Sequence, residues 1–192
     1  ITAVMPPGCG SGGASSPNIT TQPANQSACS GGSVSFSVVA TGTALTYQWR
    51  KGNVNLTNGG GISGADSSVL TINPVSAANE ASNYNVIVSG SVAPKDTSID
   101  VSLVFNTAPT ITSQPVNQAA CIGNPVSFQV VATGSGLTYQ WRRGTSNLVN
   151  AGNISGATTA TLTLNPVSLA DTASNYNVVV TGACSPAKTS TN

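Results

Sequence analysis

The sequence predicts an all-β protein built from two β-sandwiches in tandem. The first observation is an internal repeat: Trp49 and Trp141 lie 92 positions apart (141 − 49), and Tyr84 and Tyr176 keep the same offset without a gap. The second is that each repeat consists of short runs in which apolar and polar residues alternate, a pattern typical of strands with one buried face. The third is a composition dominated by Ser, Thr, Asn, Gly and Val, which favours strands and turns.

The repeat resolves into five strand pairs and one recurrent loop. The predicted strands, given as first-repeat and second-repeat ranges, are 19–23 and 111–115, 34–38 and 126–130, 45–50 and 137–142, 69–72 and 161–164, and 84–88 and 176–180. A stretch rich in Gly and Asn separates the third strand from the fourth in both repeats, as loop chemistry requires. We therefore divide the chain into an N-terminal strand with a Gly/Ser linker (1–16), a first domain (17–105) and a second domain (106–192).

The charge and residue inventory excludes several functional classes. Only 6% of the residues are charged and the net charge is +1, so no basic stripe for nucleic acid exists. With no histidine and no pair of carboxylates at a repeated spacing, the chain lacks the groups for triad or acid–base catalysis, and we predict no enzyme activity and no cofactor. The four cysteines are too far apart in sequence for a zinc site. No apolar run approaches the roughly 20 residues that membrane insertion needs.

Cysteine use and the first residue indicate an extracellular protein. Four cysteines in a chain without histidine favour disulfides, and hence an oxidising compartment. The chain starts at Ile1 without an initiator methionine, which fits removal of an export signal, although a trimmed chain is the alternative. Surface glycans and other cells are left open as partners.

Several motifs together carry a family resemblance. Each repeat has a Gly-x-x-Val-x-Phe-x-Val strand and a Tyr-x-Trp strand, and residues 162–178 continue with Leu-Thr-Leu-Asn-Pro-Val-Ser-Leu-Ala-Asp-Thr-Ala-Ser-Asn-Tyr-Asn-Val. This resembles strands B, C, E and F of immunoglobulin-like domains, and is similar to the tandem repeats of Bacteroidetes-type secreted surface, adhesin or filament proteins. The resemblance implies a core that contains, in the two repeats, Trp49, Tyr84, Val38 and Val86, and Trp141, Tyr176, Val130 and Val178.

The sequence departs from the immunoglobulin pattern at three places. The paired cysteines of strands B and F are valines here, at the four core positions just given. The corner residue Asp171, which we expect to cap the turn below Tyr176, is Asn79 in the first repeat. The second repeat also lacks the final strand, G, because the counterpart of Val101–Phe105 would follow Asn192.

A strand that matches the missing one stands at the start of the chain. Joining Asn192 to Ile1 places Ile1-Thr-Ala-Val-Met over Val101-Ser-Leu-Val-Phe. Ile1, Ala3 and Met5 share one face, Val4 lies on the other, and two prolines then end the strand. These residues predict a donor strand that completes the second domain of a neighbouring copy, so the expected partner is the protein itself.

The immunoglobulin topology also suggests how the cysteines pair. Strands B and F run the same way, so Cys121 and Cys184 fall at opposite ends of one domain, roughly 25 Å apart at about 3.3 Å per residue. A disulfide needs Cα atoms within about 7 Å. In a head-to-tail tandem of such domains, the corner before strand B, which carries Cys29, faces the hairpin after strand F of the next domain, which carries Cys184. A bound donor strand would bring Cys9 beside the corner that carries Cys121. The resemblance therefore implies Cys29–Cys184 within the chain and Cys9–Cys121 between neighbouring chains. Cys9–Cys29 together with Cys121–Cys184 is the alternative.

Two functions follow from this reading. The first is a structural subunit of an extracellular filament that assembles head-to-tail by strand addition and is stapled by disulfides. The second is a two-repeat spacer or stalk fragment of a larger cell-surface adhesin, in which the half-strands at the two ends only mark where a repeat array is divided.

Overall fold

The computed structural model describes residues 13–191. The predicted donor strand at Ile1–Met5 and the cysteine at position 9 lie outside the described residues. The chain divides into two compact units, with the boundary between Phe105 and Asn106. Both units are all-β, and no helix in the described part of the chain is long and apolar enough to cross a membrane.

The first unit is formed by strands β1 to β11. Their ranges are β1 Asn18–Thr21, β2 Gln26–Cys29, β3 Val34–Ser37, β4 Val39–Thr41, β5 Thr46–Lys51, β6 Val54–Asn55, β7 Ile62–Ser63, β8 Val69–Ile72, β9 Ala81–Ser89, β10 Asp96–Thr97 and β11 Val101–Asn106. One sheet has the order β3-β8-β7, and β1 pairs with β4. The other has the order β2-β11-β9-β5-β6, with β10 also paired to β9.

The second unit is formed by strands β12 to β20. Their ranges are β12 Thr110–Ser113, β13 Val126–Gln129, β14 Val131–Thr133, β15 Thr138–Arg143, β16 Ser146–Asn147, β17 Ile154–Ser155, β18 Thr161–Leu164, β19 Tyr176–Thr181 and β20 Lys188–Thr189. β12 pairs with β14, one sheet has the order β13-β18-β17, and the other has the order β16-β15-β19-β20. This topology repeats that of the first unit, except at one edge.

Alternation along the strands builds the core between the two sheets of each unit. In β3, Val34 and Phe36 are buried while Ser35 and Ser37 are exposed, so one face of the strand points inward. Trp49 and Trp141 are fully buried, and each indole N–H donates to a backbone oxygen at 2.9 Å. A buried tryptophan without this partner would lose a hydrogen bond to water.

Seven of the eight residues predicted for the two cores are at most 3% exposed. They are Val38, Trp49, Tyr84, Val86, Val130, Trp141 and Val178. Tyr176 packs against the second core but is only partly buried, whereas its counterpart Tyr84 is 1% exposed. The reason is the strand that lies over Tyr84 in the first unit, because no described strand covers Tyr176.

The two units differ at the edge where β11 lies. In the first unit β11 sits between β2 and β9, with Val101 opposite Tyr84 and Leu103 opposite Ala81. The described residues of the second unit reproduce β10 as β20 but contain no counterpart of β11. The described residues of the second unit thus contain the first segment of the final strand, as β20, and do not contain its second segment.

Two neighbouring segments lose their strand conformation where β11 is missing. β9 begins at Ala81, but its counterpart β19 begins at Tyr176, three residues later than the equivalent position 173. Residues 118–121, the counterparts of β2, are not in a strand. Both segments lack the backbone partner that β11 supplies, and an isolated extended segment gains little from remaining a strand.

The missing cover should appear as a difference in stability between two equivalent substitutions. Phe36→Ala should destabilise the first unit by about 3–5 kcal/mol, because it empties a fully enclosed position. Phe128→Ala should cost the second unit clearly less, because that ring is already partly in water. Each unit has one tryptophan, so urea titrations of 5-fluorotryptophan-labelled monomer, followed by ¹⁹F NMR, report the two units separately. Equal losses would show that the second unit's edge is covered in the monomer.

Candidate functional site: an open groove in the second unit

The edge that lacks a strand opens into a groove of about 280 Å³. Its floor is formed by apolar side chains of the second core, and its rim includes Ala119, Ala120 and Ala173. The floor residues are Val126, Phe128, Leu164, Val167 and Tyr176. A smaller depression lined by Pro115, Val116 and Asn117 adjoins it and shares Phe128, Ala173 and Tyr176 with it. The groove therefore runs along the edge of the sheet and does not form a single round pocket.

The first unit shows what fills this space when the sandwich is complete. There Val101 and Leu103 of β11 are 3% and 1% exposed and pack in the core cluster. They cover Val34, Phe36, Val75 and Tyr84, which are all buried. The equivalent side chains in the second unit, at positions 126, 128, 167 and 176, are only partly buried. The groove thus has the position of two inward-pointing side chains of a β-strand.

The aromatic floor keeps the same geometry in the filled and the open unit. The rings of Phe36 and Tyr84 are stacked with centroids 5.1 Å apart and planes at 23°. Phe128 and Tyr176 are stacked at 5.2 Å and 25°. The floor does not collapse into the open space, so the groove is formed before anything occupies it.

A hydrogen-bonded corner holds the tyrosine at the end of the groove. The Tyr176 hydroxyl donates to the backbone oxygen of Asp171 at 2.9 Å, as Tyr84 does to Asn79 at 2.7 Å. Arg143 lies over the Tyr176 ring, 5.9 Å from its centroid, and donates to the backbone oxygens of Ala170 and Thr172 at 3.0 and 3.1 Å. These contacts fix the ring from both sides, by a hydrogen bond and by a cation–π contact.

Comparison with known proteins agrees with this topology. Residues 16–89 match the family model of the immunoglobulin domain, and residues 110–192 match a domain of unknown function (DUF8696). Over 91% of its length the chain is similar to an I-band fragment of titin, with a TM-score of 0.75 and 19% sequence identity. The two units of this chain are thus two domains of immunoglobulin-like fold in tandem.

Two further solved structures show the same immunoglobulin-like tandem. Immunoglobulin domains 1–4 of Sidekick-1 match 92% of the chain with a TM-score of 0.69 and 18% identity. Extracellular domains 3–5 of Drosophila OTK match 90% of it with a TM-score of 0.62 and 18% identity. The chain spans 63% of the titin fragment, 48% of the Sidekick-1 chain and 59% of the OTK chain. At these identities the likeness shows the fold, and no curated protein sequence matches the chain.

In immunoglobulin terms, the groove is the position of the second half of strand G. The first half is in place: Val178 N–H donates to Ser190 Oγ at 2.9 Å, as Val86 N–H does to Ser98 Oγ at 3.0 Å. Thr191 N–H donates to Gln114 Oε1 at 3.1 Å. Both immunoglobulin-like domains therefore hold this strand by the same side chains up to the point at which the groove begins.

The cysteines follow neither the antibody pattern nor a metal-binding one. Cys29 and Cys184 are both disulfide-bonded, whereas Cys121 is free and exposed. The alternative that pairs Cys121 with Cys184 is therefore wrong for this chain. The Cys29–Cys184 and Cys9–Cys121 pairings stay predictions. Among the described residues, no three His, Cys, Asp or Glu side chains come together in a way that could hold a metal ion.

Sequence reasoning found the missing strand but not the residues that receive it. The prediction named core positions by their match to antibody domains, and only Tyr176 among them lines the groove. Val126, Phe128 and Val167 were missed because their first-domain counterparts are ordinary core residues. The signal that reveals them is structural, namely the loss of burial between identical positions of the two repeats.

Asp171 caps the 3₁₀ turn Leu169–Asp171 at the end of the groove. Its Oδ2 accepts hydrogen bonds from Ser168 N–H, Ser168 Oγ–H and Asn153 Nδ2–H at 2.8, 2.8 and 2.9 Å. The hydroxyl of Ser168 holds the pKa of Asp171 below its ordinary value of 3.8, with further help from the Ser168 amide, Asn153 and the charge of Arg143. Burial raises the pKa of Tyr176. The first domain makes the same cap with the neutral Asn79.

This pair of caps predicts a pH-dependent contribution to stability from the corner of the second domain that the equivalent corner of the first domain, with its neutral Asn79, does not make. Because the pKa of Asp171 is lower in the folded domain than in the unfolded chain, its stabilisation is complete above the unfolded value and is lost as pH falls through the folded one. Urea midpoints measured from about pH 6 to about pH 2 should fall more for the second domain than in an Asp171→Asn variant. Asn79 shows that an amide can make this cap, so the variant should remain folded. An unchanged pH profile in the variant would contradict this role of Asp171.

Proposed function

We propose that this protein is a structural subunit of an extracellular filament, in which the N-terminal strand Ile1–Met5 of one copy fills the groove of the second domain of its neighbour. The observation that carries the proposal is the groove itself, a strand-shaped gap in an otherwise complete sandwich. Its floor is apolar and preformed, and unpaired sheet edges of this kind bind an added strand.

The N-terminal sequence has the pattern that the groove requires. By the repeat alignment, Ile1 takes the place of Val101, Ala3 that of Leu103 and Met5 that of Phe105. In the first domain these positions point inward, while Val104 between them is 46% exposed. Val4 would accordingly face solvent. Two prolines and a segment rich in Gly and Ser follow in the sequence before the first domain.

The proposed joint gains free energy from apolar burial and from backbone pairing. Burial of Ile1 and Met5 contributes roughly 1.5–3 kcal/mol each, and Ala3 contributes less. The conformational entropy that any segment loses on binding offsets part of this gain. The slot has two walls, because β11 in the first domain lies between β2 and β9. A donor strand could therefore pair on both sides, with the start of β19 and with residues 118–121.

The geometry of this joint leads to a fibre. Donor and acceptor lie on different parts of the chain, so each copy that receives a strand still has its own strand to give. Such head-to-tail contacts extend without limit unless a rotation closes them. The low net charge of +1 means that copies in a fibre repel one another little.

Disulfides are part of the same proposal. Cys29 and Cys184 are both bonded, and we propose that they join to each other within the chain. Cys121 is exposed and free. It directly follows Gln118, Ala119 and Ala120, which line the groove, so it is available to Cys9 of the chain that donates the strand. Disulfides of this kind form and persist outside the cytosol, which supports secretion.

The same features support a role in structure and adhesion and not in catalysis. Proteins with immunoglobulin-like domains are typically structural or binding proteins, and the described residues of this chain hold no group of three His, Cys, Asp or Glu side chains that could bind a metal ion. We also propose that the protein is of the Bacteroidetes type of secreted surface and filament proteins, because both domains resemble the repeats of those proteins in sequence pattern.

A second candidate is a two-repeat spacer or stalk segment of a larger surface adhesin. It is favoured by the length of the structural relatives, because the chain spans only 63% of the titin fragment and 48% of the Sidekick-1 chain. On that reading, residues that follow Asn192 in a longer chain would fill the groove in place of a neighbour's strand.

Polymerisation distinguishes the two candidates. In the unboiled protein, electrophoresis should show a ladder at multiples of the 19.0 kDa chain. Deletion of Ile1–Met5 should abolish the ladder, and so should a variant that carries Val-Ser-Leu-Val-Phe-Asn after Asn192, because its own strand fills the groove. The deletion variant can still accept a strand and the extended variant can still donate one, so a mixture of the two should give dimers and nothing longer.

The controls keep this test independent of misfolding. Both variants leave the two domains intact, and the ¹⁹F signals of Trp49 and Trp141 verify that each remains folded. Single-sized monomer from the unmodified chain, together with a cooperative melt of both domains, would refute the filament. A ladder that survives deletion of Ile1–Met5 would mean that another segment is the donor.

The proposed staple has its own test. Cys121→Ser should leave the ladder intact at low temperature but make it dissociate on heating without reductant, because only the non-covalent joint remains. Mass spectrometry of the non-reduced wild-type filament should find a peptide that links Cys9 to Cys121. Cys29→Ser is the matched variant, and it should not change the resistance of the ladder to heat. A Cys9–Cys29 peptide in its place would refute the staple.

A further inference from the structure

In the complete first domain, β11 makes a polar contact with the residue that precedes β2. Ser102, at the centre of β11, donates its backbone N–H to Oδ1 of Asn25 at 2.8 Å. The residue at 102 lies between the two inward-pointing side chains, Val101 and Leu103. Its N–H is therefore held by a side chain, and this contact can form only when the strand is in one register.

The second domain has the same acceptor at the same place. Asn117 is the counterpart of Asn25 (25 + 92) and lines the depression beside the groove. Its side chain is exposed and has no hydrogen-bond partner among the described residues. The preceding contact of this kind is already made, because Gln114 accepts from Thr191 N–H at 3.1 Å, as Gln22 accepts from Ile99 N–H at 3.0 Å. Asn117 is the next acceptor along the same path.

The groove also differs from the proposed donor in size. Leu103 is 1% exposed and lies opposite Ala81, so the third position of a bound strand is the one that enters the deepest part of the core. In the second domain this position lies in the groove of about 280 Å³, which also takes the place of the first inward-pointing side chain. In Ile1–Met5 the third residue is an alanine, which is three carbon atoms smaller than leucine.

We infer that the groove selects an extended strand by two features: Asn117 fixes the register by accepting the backbone N–H of the strand's second residue, and the cavity favours a large aliphatic residue at the third. The partner class is thus a strand of the pattern apolar–polar–large aliphatic, of which β11 is the in-chain example. This inference deepens the proposed function, since it names what the proposed acceptor recognises. It also implies that Ile1–Met5 binds below the affinity that the groove can reach.

The register is specified because a shift by one residue would fail at both features. Such a shift turns every side chain to the opposite face of the sheet, so the apolar residues would point to solvent. A shift by two residues keeps the faces but places a different N–H at Asn117 and moves the third side chain out of the cavity. The two features act together, and Asn117 is accordingly a positioning residue for the strand.

The test uses synthetic hexapeptides and the full chain with Ile1–Met5 deleted, which leaves the groove open. Fluorescence anisotropy measures the binding of labelled Val-Ser-Leu-Val-Phe-Asn, the sequence of β11. Asn117→Ala should weaken binding about three- to tenfold, the usual range for one hydrogen bond. Asn117→Asp keeps an acceptor oxygen and should retain most of the affinity. Asn25→Ala is the matched control and should not change peptide binding, because the first domain already holds its own strand.

Two peptide changes complete the test. Methylation of the backbone nitrogen of the serine should weaken binding to the wild-type groove. The same methylation should weaken binding less in the Asn117→Ala variant, because that variant has already lost the hydrogen bond. The two losses should differ by the factor that Asn117→Ala alone costs. Replacement of the leucine by alanine should weaken binding roughly tenfold or more, and Ile-Thr-Leu-Val-Met-Pro should bind tighter than Ile-Thr-Ala-Val-Met-Pro by a similar factor.

The outcomes separate this inference from the filament. Equal binding by wild type and Asn117→Ala, or equal binding of the alanine and leucine peptides, would overturn the inference even if the intact chain polymerises. Peptide binding with the expected pattern, in a protein that forms no ladder, would retain the recognition and refute the filament. Both experiments use folded protein, since Asn117 is exposed and lies outside the strands.

Discussion

The contact between one strand and a stacked Phe–Tyr pair decides the state of each domain. Where Val101 and Leu103 cover Phe36 and Tyr84, the sheet closes and the neighbouring segments become strands. Where nothing in the described chain covers Phe128 and Tyr176, the neighbouring strand starts three residues late and its other neighbour remains irregular. The last strand closes the core of the sandwich, because it covers the apolar floor and also pairs with the backbone edges of its neighbours.

The contacts at the end of the groove are the same in kind as those of the complete first domain. The tyrosine corner, the cation–π contact with Arg143 and the cap at Asp171 all lie at the end of the groove. They hold the floor in the geometry of the filled domain, so that little rearrangement has to accompany the arrival of a strand. Preorganisation of this kind leaves more of the binding free energy for affinity.

Much of this arrangement could be predicted from the sequence. The 92-residue offset, the alternating strands and the buried tryptophans follow from local pattern, because a strand with one apolar face must bury it. The missing half-strand was also visible, since the repeat supplies its own reference at 101–105.

The burial of Tyr176 was not predictable in the same way, because the sequence around it is that of a completed domain. Tyr176 differs from Tyr84 because no described strand covers it as β11 covers Tyr84, and the sequence pattern around a residue does not show which strand will cover it. Asn117 was missed for a related reason: nothing distinguishes one asparagine in an Asn-rich chain until Asn25 is seen to hold a backbone N–H.

The chemistry of the groove also determines how salt and temperature would affect the binding of a strand. Its floor is made of hydrocarbon and aromatic rings, and Asp171, the one carboxylate on its wall, is already committed to Ser168 and Asn153. A joint of this composition owes almost nothing to attraction between opposite charges, so dissolved ions have little to screen. Sulfate-type salts would tighten it and cold would loosen it, as they do for any buried apolar surface. The proposed assembly would therefore hold at low and at high salt concentration, and moderate warming would strengthen it more than a change of salt concentration.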